Sequence, residues 1–314
     1  MKHVLIDTGK QCINIKAHYW LKYFRENYTV VECSKETIKD ILDEHNNEET
    51  VIVYYTESRD NAKFNAVLWK LLSASPTFLF KFIYFGFDFW YNDIMLRATN
   101  YTSVSFADTR KISVFQRRNF TEYAPNTVPH NLWCCYDGSF IPFNEAPIMK
   151  LVVSGVTTRE HYPERYELFV AKNKYAINDI VNYPYEKNIN ASGNLYNTVL
   201  NKYFAGFSSG VYIGGINTHV LLLKTFEILG AGALLVMPLA SKPLLESIGL
   251  YHNKHCYLID MSQSKIKQQI GHIFKNVPFY TQVRRNGTDF AKRHLTENHK
   301  MVELNALLNR RLLV

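Results

Sequence analysis

Cysteine is scarce and unpatterned in this 314-residue chain. Its 5 cysteines, Cys12, Cys33, Cys134, Cys135 and Cys256, are odd in number and scattered, and the adjacent pair lacks CxxC spacing. Neither a disulfide frame nor a zinc site is indicated, and a reduced, cytoplasmic setting is expected. Long apolar runs are missing too. The longest, Val220 to Ala240, carries Lys224 and Glu227 at its centre and reads as a buried helix followed by a strand. The opening MKHVLIDTG holds too short an apolar run for a secretory signal, so no stable membrane insertion is expected. Neither GxGxxG nor a GxxxxGK phosphate loop occurs anywhere. No Asp-x-Asp stands at a strand end to hold a cation, so no metal site is expected, and no short-period repeat is seen.

What is present fits a folded chain of two domains, since the length is about twice that of a typical single domain. Hydrophobic residues make up 47% and charged residues 20%, which excludes a disordered chain. Aromatics reach 14%, with 21 Tyr and 20 Phe, and suit packed cores and ring-stacking pockets for sugars or bases. Thirty-six Lys plus Arg against 28 Asp plus Glu gives +8, a balance that favours anionic partners. Usage rich in Lys, Asn, Ile, Tyr and Phe points to an AT-rich genome, a composition consistent with a virus-encoded protein.

Hydrophobic periodicity organises the chain into two αβ halves. His3–Asp7, Val30–Cys33, Val51–Tyr55 and Phe78–Phe85 read as strands, separated by helical patterns near Ile15–Glu26, Lys35–Glu44 and Asn61–Ser73, with Ser34 and Asp60 as N-caps of the last two. Asp88 to Pro142 is rich in turn residues and aromatics and reads as a lobe and crossing. Alternation resumes with a strand at Leu151–Val153, then helix Tyr162–Ala171, strand Ile177–Val181 and helix Leu195–Tyr203. There follow helix His219–Gly230, strand Ala233–Met237, helix Ser241–Ile248, strand Cys256–Asp260 and helix Ser262–Phe274, with a tail from Asp289 to Leu313 helical throughout. Such alternation predicts parallel sheets covered on both faces, with ligands at the carboxyl ends of the strands.

Lys224 and Glu227 lie three apart and share one helix face. Such a pair ordinarily marks a solvated face. Here, however, Leu221, Leu222, Leu223, Phe226, Ile228 and Leu229 make the helix apolar nearly all round, which implies burial, and buried charge needs a partner. Gly230-Ala231-Gly232-Ala233 then allows a close backbone approach and a turn into the next strand.

The run K-T-F-E-I-L-G-A-G-A-L-L-V resembles the donor-binding signature of group-1 GT-B glycosyltransferases, in particular the CgeB-like branch. V-V-S-G followed by Y-P-E-R, Y-N-T-V-L-N-K-Y, and H-C-Y-L-I-D with R-N-G-T-D-F-A-K-R-H resemble that branch in the same order, over about residues 150–300. The resemblance implies an α/β protein of GT-B fold, two Rossmann-like αβα domains facing a central cleft. Residues 1–148 would bind the acceptor and 149–295 the nucleotide sugar, with 296–314 a helix returning to the first domain. It also implies roles. Glu227 matches the carboxylate that holds the ribose hydroxyls, and Lys224, with Thr225 beside it, the basic position facing the donor diphosphate. Ser154 and Gly155 match the loop approaching the nucleotide, Arg165 a second phosphate contact, and Tyr257 the residue before the base-bracketing position. His219 stands where many such enzymes have another Glu, which leaves the sugar contact and the stereochemistry open.

The first domain would then supply acceptor contacts and, for an inverting reaction, a general base. Asp88, in F-G-F-D-F-W-Y after an apolar strand, is the leading candidate, with a loop-capping role as its alternative; Asp7 and His18 follow. Gly9 allows close passage of a substrate. D-T-G-K-Q-C-I-N-I-K also resembles the opening of phage β-glucosyltransferases acting on modified DNA bases, over about fifteen residues. The expected activity is transfer of a sugar from a UDP- or GDP-linked donor, without metal or cofactor, to a glycan or glycoprotein by a monomer or dimer. DNA is the alternative acceptor, with Arg110, Lys111, Arg117 and Arg118 as a basic patch. A catalytically inactive binding module of the same fold is the alternative from another class.

Overall fold

Apolar strand-forming runs separated by amphipathic helices fold here into two parallel sheets. The computed structural model describes residues 2–8, 18–56, 64, 67–68, 70–71, 79–86, 103–105, 134–155, 157–159, 162–183, 194–209, 211–213, 216–218 and 221–302. The chain divides into two compact units, Met1–Leu132 and Trp133–Val314.

In the first unit, β1 (Lys2–Asp7), β2 (Thr29–Glu32), β3 (Thr50–Thr56), β4 (Lys81–Gly86) and β5 (Ser103–Ser105) form one sheet in the order β2-β1-β3-β4-β5, every pair parallel. Val4, Leu5, Ile6, Val51, Ile52, Val53 and Tyr54 are all buried, the near-continuous apolar pattern of strands covered on both faces. Two described helices are α1 (His18–Asn27) and α2 (Ile38–Glu44); Ile38, Ile41 and Leu42 of α2 pack against Ile6, Ile52 and Tyr54. Ser34 does not cap α2. Its carbonyl accepts from Ile38 N and its Oγ from Glu36 N, closing the turn that precedes the helix, while Thr37 occupies the N-cap. Asp60, the other expected cap, lies outside the described residues.

In the second unit, β6 (Ile148–Ser154), β7 (Ile180–Tyr183), β8 (Tyr203–Phe207), β11 (Leu234–Pro238) and β12 (Tyr257–Ile259) run parallel in the order β12-β11-β8-β6-β7. Val211–Ile213 (β9) and Ile216–Thr218 (β10) make a separate antiparallel hairpin. The helices are α3 (Pro163–Lys174), α4 (Asn194–Asn201), α5 (Leu223–Gly230), α6 (Lys242–Glu246), α7 (Gln263–Lys275) and α8 (Val277–His294). α3 packs on α7, while α5 packs on both α4 and α8. The core joins Leu151 and Val153 of β6, Phe204 and Phe207 of β8, Leu234 and Val236 of β11, and Ile266, Ile270 and Ile273 of α7.

Three expectations about this unit change. The central strand β8 was not anticipated: Y-F-A-G-F carries glycine and alanine where a strand signal wants branched residues. The helix expected over His219–Gly230 begins at Leu223. The terminal helix starts at Val277, well before Asp289, and is interrupted at Leu295 and Thr296 before residues 297–302 turn helical again.

Residues 134–147 also belong to this unit, ahead of β6, and hydrogen bonds show why. Cys135 N donates to Leu295 O at 2.7 Å, Asn197 Nδ2 to Ser139 O at 2.8 Å, and Asn201 Nδ2 to Pro142 O at 3.0 Å. Among the described residues no helix is long and apolar enough to cross a membrane; the longest apolar run resolves into α5 and β11.

Candidate functional site

Side chains from four elements of the second unit converge at the carboxyl end of β6. The strand is buried through Ser154, which is 2% exposed, and then turns at Gly155 with φ +93°. Left-handed backbone of this kind favours glycine. A Cβ on Gly155 would stand 2.9 Å from Arg165 Nη1 and 3.7 Å from Lys224 Nζ. Two cations therefore lie over one bare stretch of backbone.

Each cation is held by its helix. Arg165 sits in the first turn of α3, 3% exposed, with its guanidinium carbon 4.1 Å from the Tyr162 ring centroid. Burial pulls its pKa down, and the neighbouring Tyr162, Tyr196 and Glu164 oppose that shift. Lys224 is the second residue of α5. Its Nζ donates to Ser154 Oγ at 2.8 Å and to Tyr196 OH at 2.5 Å, and it lies 4.6 Å from the Tyr196 ring centroid. Ser154 Oγ and Tyr196 OH are themselves hydrogen-bonded. Burial raises the Tyr196 phenol well above its usual range, and the Glu227 carboxylate adds to the rise. Glu227 is thus electrostatically part of the cluster, and at 8% exposed it is a buried carboxylate.

α5 keeps this place because small residues let it lie close on the sheet. A Cβ on Gly206 of β8 would stand 2.9 Å from Ile228 Cγ1, so only glycine admits the helix at that distance. Thr225, fully buried, shares a 3.0 Å hydrogen bond with Ser208 Oγ just past β8 and reaches Met237 Sδ at 3.8 Å. No side chain caps the first turn of α5, so its outward amides and the positive end of its dipole suit an anion. A pocket of about 540 Å³ opens close by, between Pro163 and Glu164 of α3, Pro238 and Leu239 after β11, and Asp260 and Met261 after β12.

Of the residues singled out in the sequence, the structure gathers Ser154, Gly155, Arg165, Lys224 and Glu227, while Thr225 anchors the helix from beneath. Tyr257 is not among them. Its ring is in the core, edge-on to Tyr280 at 5.4 Å, and the pocket is lined by Asp260 and Met261 beyond it. Asp88, His219 and Gly9 lie outside the described residues, as do Arg110, Lys111, Arg117 and Arg118, and of His18 only its place at the start of α1 is described. Asp7, at the end of β1, accepts from Arg25 Nε at 2.9 Å and Nη2 at 2.6 Å. Tyr196 is the participant that sequence reasoning missed. Among the described residues no group of three His, Cys, Asp or Glu could hold a metal ion.

No protein-family profile matches the chain, and no curated protein is similar to it at a significant level. Solved structures are. An alpha-glucosyltransferase in complex with UDP-glucose and DNA containing an abasic site superposes with a TM-score of 0.58 over 98% of both chains, at 11% identity. Sucrose-phosphate synthase from Thermosynechococcus elongatus gives 0.58 over 98% of both chains at 9% identity. A glycosyltransferase from Rickettsia africae gives 0.51 over 98% of this chain and 91% of its own, at 11% identity. With a parallel sheet in each of its two units, the chain has the GT-B glycosyltransferase fold.

Proposed function

We propose that the chain transfers a sugar from a nucleotide-diphosphate sugar. The convergence of Arg165 and Lys224 on Gly155, with Glu227 one helical turn on, carries this reading. A diphosphate laid against Gly155 meets two cations and the N-terminus of α5, which offset the charge that gathers on the leaving group as the glycosidic bond breaks. Glu227 accepts from both ribose hydroxyls, a task that suits a carboxylate with two acceptor oxygens. The neighbouring pocket, walled by Pro238, Leu239 and Met261, has room for the base. With the cations supplied by side chains, transfer should survive chelation of divalent metal. Asp88, Gly9 and His18 remain the acceptor-side candidates, with Asp88 as base if the reaction inverts; Asp88→Asn should then abolish transfer and spare donor binding.

Glycan or glycoprotein is the first acceptor class to screen. A DNA acceptor is a second reading, favoured by the net charge of +8 and by likeness in fold, along the whole chain, to an enzyme solved with DNA. Duplex affinity that falls steeply with salt would support it, and salt-insensitive or absent binding would remove it.

The donor test is a thermal-shift panel of nucleoside diphosphates and nucleotide sugars on the wild type and Glu227→Ala. Ligand at 100 times its dissociation constant stabilises by about 2.7 kcal/mol. A shift in the wild type that the variant loses supports the donor site; no shift from any nucleotide refutes it. A shift without turnover of any sugar would favour a binding module over an enzyme.

A further inference from the structure

Tyr196 stands at the centre of the cluster, yet the donor reading gives it no task. Its phenol oxygen contacts both Ser154 Oγ and Lys224 Nζ, with the ammonium beyond the hydroxyl end of the ring. One hydroxyl thus ties the ammonium to the end of β6. A lysine stem has four rotatable carbons, and each contact that fixes the ammonium in the free protein reduces the rotamer entropy lost when ligand arrives. The platform is itself fixed. Next along α4, Asn197 is fully buried and bonded to the backbone of Ser139 at 2.8 Å, so the turn carrying Tyr196 is tied to the rest of the unit. Burial and the nearby Glu227 keep the phenol protonated. It therefore accepts from the ammonium, shares a hydrogen bond with Ser154 Oγ, and does not serve as a base.

We infer that Tyr196 is the positioning residue for Lys224, holding its ammonium over Gly155 so that the site pays little ordering entropy when a diphosphate binds. This rests on the nucleotide-sugar reading, because it assigns Lys224 to the diphosphate. Tyr196 acts through Lys224 and touches no reacting atom.

The test is a double-mutant cycle read by titration calorimetry with UDP and with GDP. Tyr196→Phe keeps the ring and removes the hydroxyl. It should weaken whichever diphosphate binds by roughly tenfold, the usual scale for losing a hydrogen bond to a charged group. In a Lys224→Met background the same change should alter affinity by less than about twofold, since no ammonium remains to be placed. A tyrosine that merely packs would give the same loss in both backgrounds, and that result overturns the inference. So does Tyr196→Phe binding as the wild type does. Should Tyr196→Phe fail to fold, Tyr196→Met takes its place in the cycle; a loss that depends on Lys224 supports the positioning role, and no loss overturns it. A wild type that binds neither UDP nor GDP removes the donor reading and this role together. Binding with an unaffected Tyr196→Phe removes the role alone.

Discussion

Two glycines in neighbouring helices provide a paired test of how α5 is held. By helix propensity both should gain from alanine, by about 1 kcal/mol each. The structure separates them. A Cβ on Gly271, in α7, would meet nothing within 4 Å, so Gly271→Ala should stabilise by about 0.5–1 kcal/mol. A Cβ on Gly287, in α8, would lie 2.5 Å from His255 O and 3.2 Å from Leu229 Cδ2. The first of these is backbone in a turn secured by His255 N to Tyr251 O at 2.9 Å, so it cannot simply swing aside. Overpacking of this kind costs about 1–3 kcal/mol, which outweighs the propensity gain. Gly287→Ala should therefore fall about 1–3 kcal/mol below Gly271→Ala, a gap of several degrees in melting temperature at about 2–4 °C per kcal/mol. Urea titration followed by tryptophan fluorescence would give the difference in parallel with thermal melts. The consequence reaches the site, because Thr288 Oγ1 donates to Leu229 O at 3.1 Å near the end of α5. Displacing α8 should shift α5 and weaken the nucleotide response of Gly287→Ala, while Gly271→Ala keeps it. Equal stability of the two variants would refute the packing argument.

Other consequences are open to measurement. Arg284 is 1% exposed, bonds Gly232 O at 3.1 Å and Asn144 O at 3.2 Å, and lies between the rings of Phe143 and Phe204; burial lowers its pKa to about 10. Arg284→Met should cost about 2–3 kcal/mol in chemical denaturation, because hydrogen bonds to a charged group are lost and carbonyls are stranded. His252 and His255 accept backbone N–H bonds at Nδ1 from Leu258 and Tyr251, and burial lowers both below the usual 6.5. The unfolded chain then takes up protons more readily, so stability is full above 6.5 and falls as pH drops through that value toward the lowered folded ones. Urea midpoints at pH 7.5 and 5.5 should show the loss, reduced in His255→Gln. Cys33 and Cys256 are buried with thiols pushed up to about 11 and about 12, and Cys134 and Cys135 are fully buried. Iodoacetamide at pH 7.5 should label these four only on unfolding, as read by peptide mass spectrometry.

The sequence carries the alternation of strands and helices plainly, because period and burial agree there. β1 and β3 are built around the apolar runs V-L-I and V-I-V-Y-Y, and the stripe of Ile266, Ile270 and Ile273 marks α7 as soon as the chain is read. Lys224 and Glu227 were legible for the same reason: charge on an apolar helix signals burial, and Glu227 is buried. Tyr196 had no such signal. Its partners Ser154 and Lys224 lie 42 and 28 residues away, and one tyrosine among 21 announces nothing until the strand order brings them together.

Two of the differences, β8 and the early start of α8, share one physical cause. Glycine weakens strand and helix signals alike, and it stands inside β8 as Gly206 and inside α8 as Gly287. The structure uses both glycines for close approach. Gly206 opens the room on β8 that Ile228 fills from one side of α5, and Gly287 opens the room on α8 beside Leu229. The small residues therefore mark where a short helix is gripped between a sheet and another helix. α5 has only 8 residues, too few to be stable by its own hydrogen bonds, so its order comes from this grip. That order is what the proposed donor chemistry needs. A carboxylate and an ammonium one turn apart can meet a ribose and a diphosphate at fixed separation only if the turn between them does not fray. The glycines that weaken each element's local signal are the residues that let β8 and α8 close on α5, which explains why the charged pair could be read from the sequence and the packing that holds its helix could not.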